Sequence, residues 1–280
     1  MTIGSVADHR SREGGAIIYP VYSRRSGGLS IGINLFPDRK LCSFNCPYCE
    51  VFPFKTDIVF NPEIMKAALC SAIREAKENG IQIKDICFSG SGEPSMSPYF
   101  IEAVNAVAAI RSGLADDAKL VVITSGTGLQ NNDTFEFFKT ASLHPVNLNI
   151  WLKLDAATEE WYRFMNRSKI PHDELIDCIK KFSASAAPFT IQTMLCRVKG
   201  ILPPQDESAA WVQLVTELAA LSRSDKSGSG LRAVQIYGKA RPASEDPLAE
   251  AIPATILEER SLQLRLSLEK AGLIVPVEVY

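Results

Sequence analysis

Strand-like runs alternate with helix-like segments six times along this chain, and that alternation restricts the fold more than any other feature. "LSIGINLF" (29 to 36) reads as a first strand. Asn61 and Pro62 then supply an N-cap and a proline at the first helical position, and Gly80 ends a helical pattern. "IKDICFSG" reads as a second strand, with a helix from about Ser97 to Ser112 behind it, and "KLVVITSG" as a third, after which "NNDT" opens another helix. "VNLNIWLKLDA" is the fourth, followed by helical segments on either side of Pro171. "FTIQTMLCRV" and "RAVQIYGKA" are the fifth and sixth, separated by a helix over about 206 to 222 and a flexible "SRSDKSGSG" loop. A helix from Pro253 to Ala271 and a final strand in "LIVPVEVY" close the chain. Six βα units in succession imply a parallel sheet with right-handed crossovers, either an open doubly wound sheet or a full or partial barrel.

The faces of the later strands favour the barrel. In the fourth, Leu148, Ile150, Leu152 and Leu154 oppose Asn147, Asn149, Trp151, Lys153 and Asp155. A parallel strand covered on both faces would be apolar throughout, so one face is expected to be wet or functional. The fifth strand sets Ile191, Thr193 and Leu195 against Gln192, Met194 and Cys196, and the sixth sets Val234 and Ile236 against Gln235, Tyr237 and Lys239. Three such strands suggest a barrel whose interior holds a ligand, in preference to a sheet with one solvent-facing side.

No apolar run approaches the roughly 20 residues that span a bilayer, and "MTIGSVADHRSREGGA" lacks the apolar core of a secretory signal, so the chain reads as cytoplasmic. A net charge of −2 gives no basic bias of the kind nucleic-acid modules carry. Seven cysteines, an odd and unevenly spaced set, do not make a secreted disulfide framework. Three of them, Cys42, Cys46 and Cys49, form C-x3-C-x2-C in the loop after the first strand, where α/β barrels carry their chemistry. Structural zinc needs four ligands and no second pair stands nearby. A [4Fe–4S] cube has four irons, so three thiolates leave one iron open to substrate.

With "CSFNCPYC" and, one βα unit later, "SGEP" (Ser91 to Pro94), the chain resembles the radical S-adenosylmethionine (SAM) enzymes. Their signature is C-x3-C-x-aromatic-C, with Tyr48 at the aromatic position; SGEP resembles their motif for the methionine amino group, with Ser91 where many members have Gly. "GINLFPDRKLCSFNCPYC", "SGEPSMSP", "LDAATEEWYRFMNR", "IQTM" and "QIYGKARP" together look most like the wyosine-synthase-related group. The resemblance implies a partial (βα)6 TIM-like barrel. Residues 1–28 are then a polar lead-in, 29–252 the core, and 253–280 a C-terminal helix and strand packing on it.

The resemblance also implies a [4Fe–4S] cluster on Cys42, Cys46 and Cys49, with SAM on its open iron, an external one-electron donor of the flavodoxin or ferredoxin type, and hydrogen abstraction by a 5′-deoxyadenosyl radical. Glu93 and the backbone of Ser91, Gly92 and Pro94 are placed to hold the SAM amino group, Ser125 and Lys153 or Asp155 to reach the ribose or carboxylate, and Tyr48 to lie near the adenine. Lys153 with Asp155 reads equally as a buried ion pair. Gln192, Tyr237, Lys239 and Arg241 share the inward face near strand ends, and Asn166 with Arg167 follow in a loop after the fourth strand. Inward Cys196 is a candidate hydrogen donor to a substrate radical, while Cys70, Cys87 and Cys178 read as core. His9, His144 and His172 share no ligand spacing and take no role. A small-molecule or nucleoside substrate is favoured over nucleic acid, with no membrane partner. A glycyl-radical activase acting on a protein partner, and an iron–sulfur electron-transfer or sensing protein without SAM chemistry, are the alternatives.

Overall fold

A proline inside an apolar run accounts for the first difference between sequence and structure. In the computed structural model, which describes residues 15–222 and 230–280, "IYPVYS" forms strand β1 (Ile18–Ser23). It pairs antiparallel with β2 (Gly28–Ile33), with Pro20 opposite Ile31. Proline offers no N–H to a ladder and is confined to edge strands, and β1 is the terminal strand in the order of its sheet. The polar lead-in thus holds a strand that its glycines, arginines and Pro20 mask in the sequence. Residues 1–14, with His9, and 223–229 of the loop read as flexible lie outside the described residues.

The chain divides into two compact units. The first comprises described residues 15–42, 51–124 and 144–149. It holds β1, β2, α1 (Pro62–Glu78), β3 (Ile83–Phe88), α2 (Phe100–Leu114) and β4 (Lys119–Thr124), in strand order β1-β2-β3-β4 with β2, β3 and β4 parallel. The side chain of Asn61 caps α1 by accepting from the N–H groups of Glu63 and Ile64, and Gly80 leaves the helix at φ 67°. Met65, Leu69, Ala72, Ile73 and Ala76 repeat at helical spacing and are buried.

The second unit comprises residues 43–50, 125–143 and 150–280, less the undescribed stretch. It contains α3 (Asn132–Ala141), capped by Asn131 as "NNDT" predicts, and most of β5 (Leu148–Lys153). Beyond these come α4 (Glu159–Met165), α5 (His172–Ala184), β6 (Phe189–Leu195), β7 (Arg197–Val198), α6 (Gln205–Leu221), β8 (Leu231–Gly238), β9 (Ala249–Glu250), α7 (Ala254–Lys270) and β10 (Val277–Val279). Strands β5, β6, β8 and β10 lie side by side and parallel, and β7 pairs antiparallel with β9. Strand followed by helix, with parallel neighbours, is the α/β fold that the sequence alternation predicts.

The polar faces are only partly wet. In β5, Leu148, Ile150 and Leu152 are buried while Asn149 and Lys153 are half-buried. Every residue of β6 is buried, and the Gln192 side chain donates to Gln235 Oε1 at 2.7 Å. The Gln235 side chain in turn donates to Glu278 Oε2 at 3.0 Å, and such partners account for polar residues in an otherwise apolar strand. No helix among the described residues is long and apolar enough to cross a membrane.

Candidate functional site

In the first unit the chain leaving β2 returns to the end of β3. The Asn34 side chain donates to Ser91 Oγ at 3.1 Å and accepts from the Ser91 and Phe36 N–H groups, so one amide holds both loops. Leu41 then pairs with the SGEP turn as a short parallel bridge: its N–H donates to Ser91 C=O and its C=O accepts from Glu93 N–H, both at 2.9 Å. A side chain at Gly92 would put Cβ 1.8 Å from the Leu41 carbonyl oxygen, so only glycine fits. Cys42 follows directly. Glu93 is buried, and its Oε1 accepts from Ser95 N–H (3.1 Å), Ser95 hydroxyl (2.6 Å) and Thr124 hydroxyl (2.7 Å). Pro94 opens a single 3-10 turn that carries the chain away.

In the second unit the cysteine loop meets the end of β5. Cys46 and Cys49 share one turn, Cys49 N–H donating to Cys46 C=O at 3.1 Å, and Cys49 C=O accepts from Ser244 N–H at 2.9 Å. Cys46 is buried, its sulfur 3.6 Å from the Asn166 side-chain nitrogen and 3.9 Å from the Asn166 carbonyl oxygen. Burial, reinforced by the Asp155 charge, pushes its thiol up to about 12. Asn166, the C-cap of α4, also donates to Asp155 Oδ2 at 3.1 Å.

Asp155 is the hub of this cluster. Its Oδ1 accepts from Lys153 Nζ and Met194 N–H, each at 2.8 Å, and its Oδ2 accepts from the Tyr48 hydroxyl as well as Asn166. Lys153 in turn donates to the Tyr237 hydroxyl at 2.6 Å and stands 5.3 Å from the Tyr48 ring centre and 4.8 Å from that of Tyr237. Burial alone would lower the Lys153 pKa, but Asp155 and Tyr237 outweigh it and raise it, so the ammonium persists. The Tyr48 phenol is raised well above its usual value by burial and by Asp155. The ion pair anticipated as one reading of Lys153 and Asp155 is therefore present, with a tyrosine on either side.

The remaining candidates of this unit make bonds of their own. Ser125 bonds the Thr127 hydroxyl at 2.7 Å, and Thr127 bonds the Ser43 hydroxyl in the cysteine loop. Arg241 pairs with Glu50, just beyond the last motif cysteine, at 2.8 Å. Lys239 pairs with Asp246, and Arg167, at φ 47°, with Glu245. Cys196 is fully buried, and burial pushes its thiol up to about 12. Cys87 is buried, while Cys70 and Cys178 are half-buried, less enclosed than a core assignment implies. Asn166, expected from the sequence in a loop after the fourth strand, caps α4 and meets Cys46, and neither that bond nor the parts of Asn34 and Thr124 carry a sequence signal. No sequence signal links residues 120 positions apart. Among the described residues, no three or more His, Cys, Asp or Glu side chains stand close enough to hold a metal ion as they are.

A family model described as Radical SAM superfamily matches residues 40–197. A "UPF0026 protein" of Helicobacter pylori (strain ATCC 700392 / 26695) is 29% identical over 119 residues, 42% of this chain and 37% of that protein. The matched stretch thus spans little more than a third of the relative. Streptococcus suis SuiB bound to S-adenosylmethionine superposes with a TM-score of 0.62 at 12% identity, over 86% of this chain and 48% of that one. TYW1 with a lysine-pyruvate adduct superposes with a TM-score of 0.59 at 14% identity, over 85% and 73%. These likenesses establish the fold, a partial TIM-like barrel of α/β type.

Proposed function

We propose that this chain, which belongs to the Radical SAM superfamily, holds a [4Fe–4S] cluster on Cys42, Cys46 and Cys49, binds SAM and removes a hydrogen atom from a substrate. The superfamily uses these two cofactors. The observation that carries the reading is the bridge between Leu41 and Ser91–Glu93, which ties the residue before the first motif cysteine to the SGEP turn. The donor set supports it too. Thiolates are the ligands such clusters take, and the Cys46 sulfur faces a side-chain N–H, the kind of outer partner ligating groups have.

Reduced by one electron from a flavodoxin- or ferredoxin-type donor, the cluster and SAM together supply a 5′-deoxyadenosyl radical for hydrogen abstraction. The chain's own part is binding and orientation. Glu93, fixed by Ser95 and Thr124, accepts from the methionine ammonium together with the backbone at Ser91, Gly92 and Pro94. Ser125 donates to the SAM ribose or carboxylate, and Tyr48 lies beside the adenine. Lys153 with Asp155, Gln192, Cys196 and Arg241 serve the substrate side. Burial keeps the Cys196 thiol neutral, so it retains a hydrogen that a substrate radical can take. We assign 29–252 to the catalytic core, 1–28 to a lead-in and 253–280 to a C-terminal addition. A net charge of −2 favours a small molecule or nucleoside as substrate.

Anaerobic reconstitution with iron and sulfide, followed by SAM and dithionite, tests this directly. Four irons per chain and release of 5′-deoxyadenosine are expected, and alanine at Cys42, Cys46 or Cys49 should abolish both. A chain that keeps its iron when all three cysteines are alanine would overturn the assignment. A full cluster without SAM cleavage, candidate substrates included, would make the protein an electron carrier instead.

A further inference from the structure

We propose that Asn166 is a positioning residue for the Cys46 sulfur, whose side-chain N–H raises the reduction potential of the group that this sulfur holds. The inference rests on the assignment of Cys46 as a cluster ligand. The Asn166 side-chain nitrogen has two neighbours, Cys46 Sγ at 3.6 Å and Asp155 Oδ2 at 3.1 Å. An ionised carboxylate only accepts, so the end of the amide that meets Asp155 is the NH2 end, and the orientation of the amide is settled by its partner. One N–H goes to the carboxylate and the other is directed at sulfur.

The carboxylate is itself immobilised. Lys153, Met194 N–H, Tyr48 and Asn166 together supply four donors to its two oxygens, and its side chain is fully buried. The amide therefore cannot turn away without breaking a charge-assisted bond. The main chain fixes the same register, since Asn166 C=O accepts from Asn45 N–H at 2.9 Å, one residue before Cys46. A thiol at Cys46 can donate to that carbonyl; a ligating thiolate has lost its proton, and the side-chain N–H becomes the favourable neighbour. A donor to a cluster sulfur disperses negative charge, and the reduced state carries one more negative charge than the oxidised one. Hydrogen bonds to sulfur accordingly favour the reduced state.

The test compares reconstituted wild type with Asn166→Ala in dye-mediated anaerobic titrations, following the electron paramagnetic resonance (EPR) signal of the reduced cluster. Both proteins should hold four irons per chain. At the potential where the wild type is half reduced, the alanine variant should have a reduced-to-oxidised ratio on the order of tenfold lower, equivalent to about 59 mV for one electron. Pulsed EPR in deuterated buffer should show an exchangeable proton coupled to the wild-type cluster that the variant lacks. Asn166→Leu keeps similar bulk without the N–H and without a new charge, and reads the same two quantities if the alanine variant does not accumulate. Equal potentials with an unchanged exchangeable proton would overturn the proposal. A wild type that takes up no cluster would instead refute the ligand assignment.

Discussion

Gly92 shows how much a single atom decides here. Because a Cβ would stand 1.8 Å from a main-chain oxygen, Gly92→Ala cannot be relieved by a rotamer change and must push Leu41 and the SGEP turn apart. The expected cost is roughly 1–3 kcal/mol or more, seen as a lower Tm. Calorimetry on the reconstituted protein should also show weakened SAM binding, since the turn moves with its bridge. A variant that binds SAM like the wild type would mean that the turn does not hold the ligand. At this scale the sequence shows residue types and near neighbours only. The cysteine triplet and SGEP are legible because each is local. Asn166 is not, because its value comes from a bond formed across the fold, and neither are the four donors that Asp155 gathers from Tyr48, Lys153, Asn166 and Met194. For Lys153 the ion pair with Asp155 is one of its two sequence readings, while the bond to the Tyr237 hydroxyl carries no sequence signal.

Elements follow local chemistry, so they are the most legible part of the chain. Asn61, Asn131 and Gly80 mark helix ends where the structure has them, whereas β1 is not legible because Pro20 argues against a central strand and only the edge position reconciles the two. Helix α4 is a different case. It has seven residues, too few to be stable alone, and a residue on another helix holds its start. Glu207 of α6, 2% exposed, accepts from the N–H groups of Ala157 and Thr158, both at 2.8 Å, and from the Thr158 hydroxyl. Thr158 is the N-cap and Asn166 the C-cap of the same helix. Glu207→Ala leaves two main-chain donors unsatisfied and should cost about 3 kcal/mol, measurable by urea unfolding. Amide exchange in α4 should quicken more than in α5, while Glu207→Gln, which keeps one acceptor, should lose less. Uniform quickening across both helices would mean that Glu207 supports the core generally and does not cap α4.

For the molecule as a whole, the alternation of strands and helices specified the parallel sheet, and period-two patterning gave the faces of β5. The wetness of those faces was not legible, because a glutamine reads as polar whether it meets water or, as Gln192 does, a second buried glutamine. The longest stretch without a helix or strand between two elements of the first unit is the run from 34 to 61, joining β2 to α1 and carrying all three motif cysteines. Loops of that length within a compact fold are uncommon and commonly functional. Within the run, the Arg39–Lys55 bridge, the bond from Thr56 N–H to Asp38 C=O and the Cys46–Cys49 turn tie one part to another. A ligand that binds only the folded chain stabilises it by mass action, and a cluster bonded to three residues of this run would act there first. Reconstitution should therefore raise Tm by several degrees and slow amide exchange chiefly within 34–61, with α1 little changed. Stripping the iron should reverse both effects, and Cys42→Ala should show neither. Equal protection of the loop with and without iron would mean that the protein builds this site in full before any metal arrives.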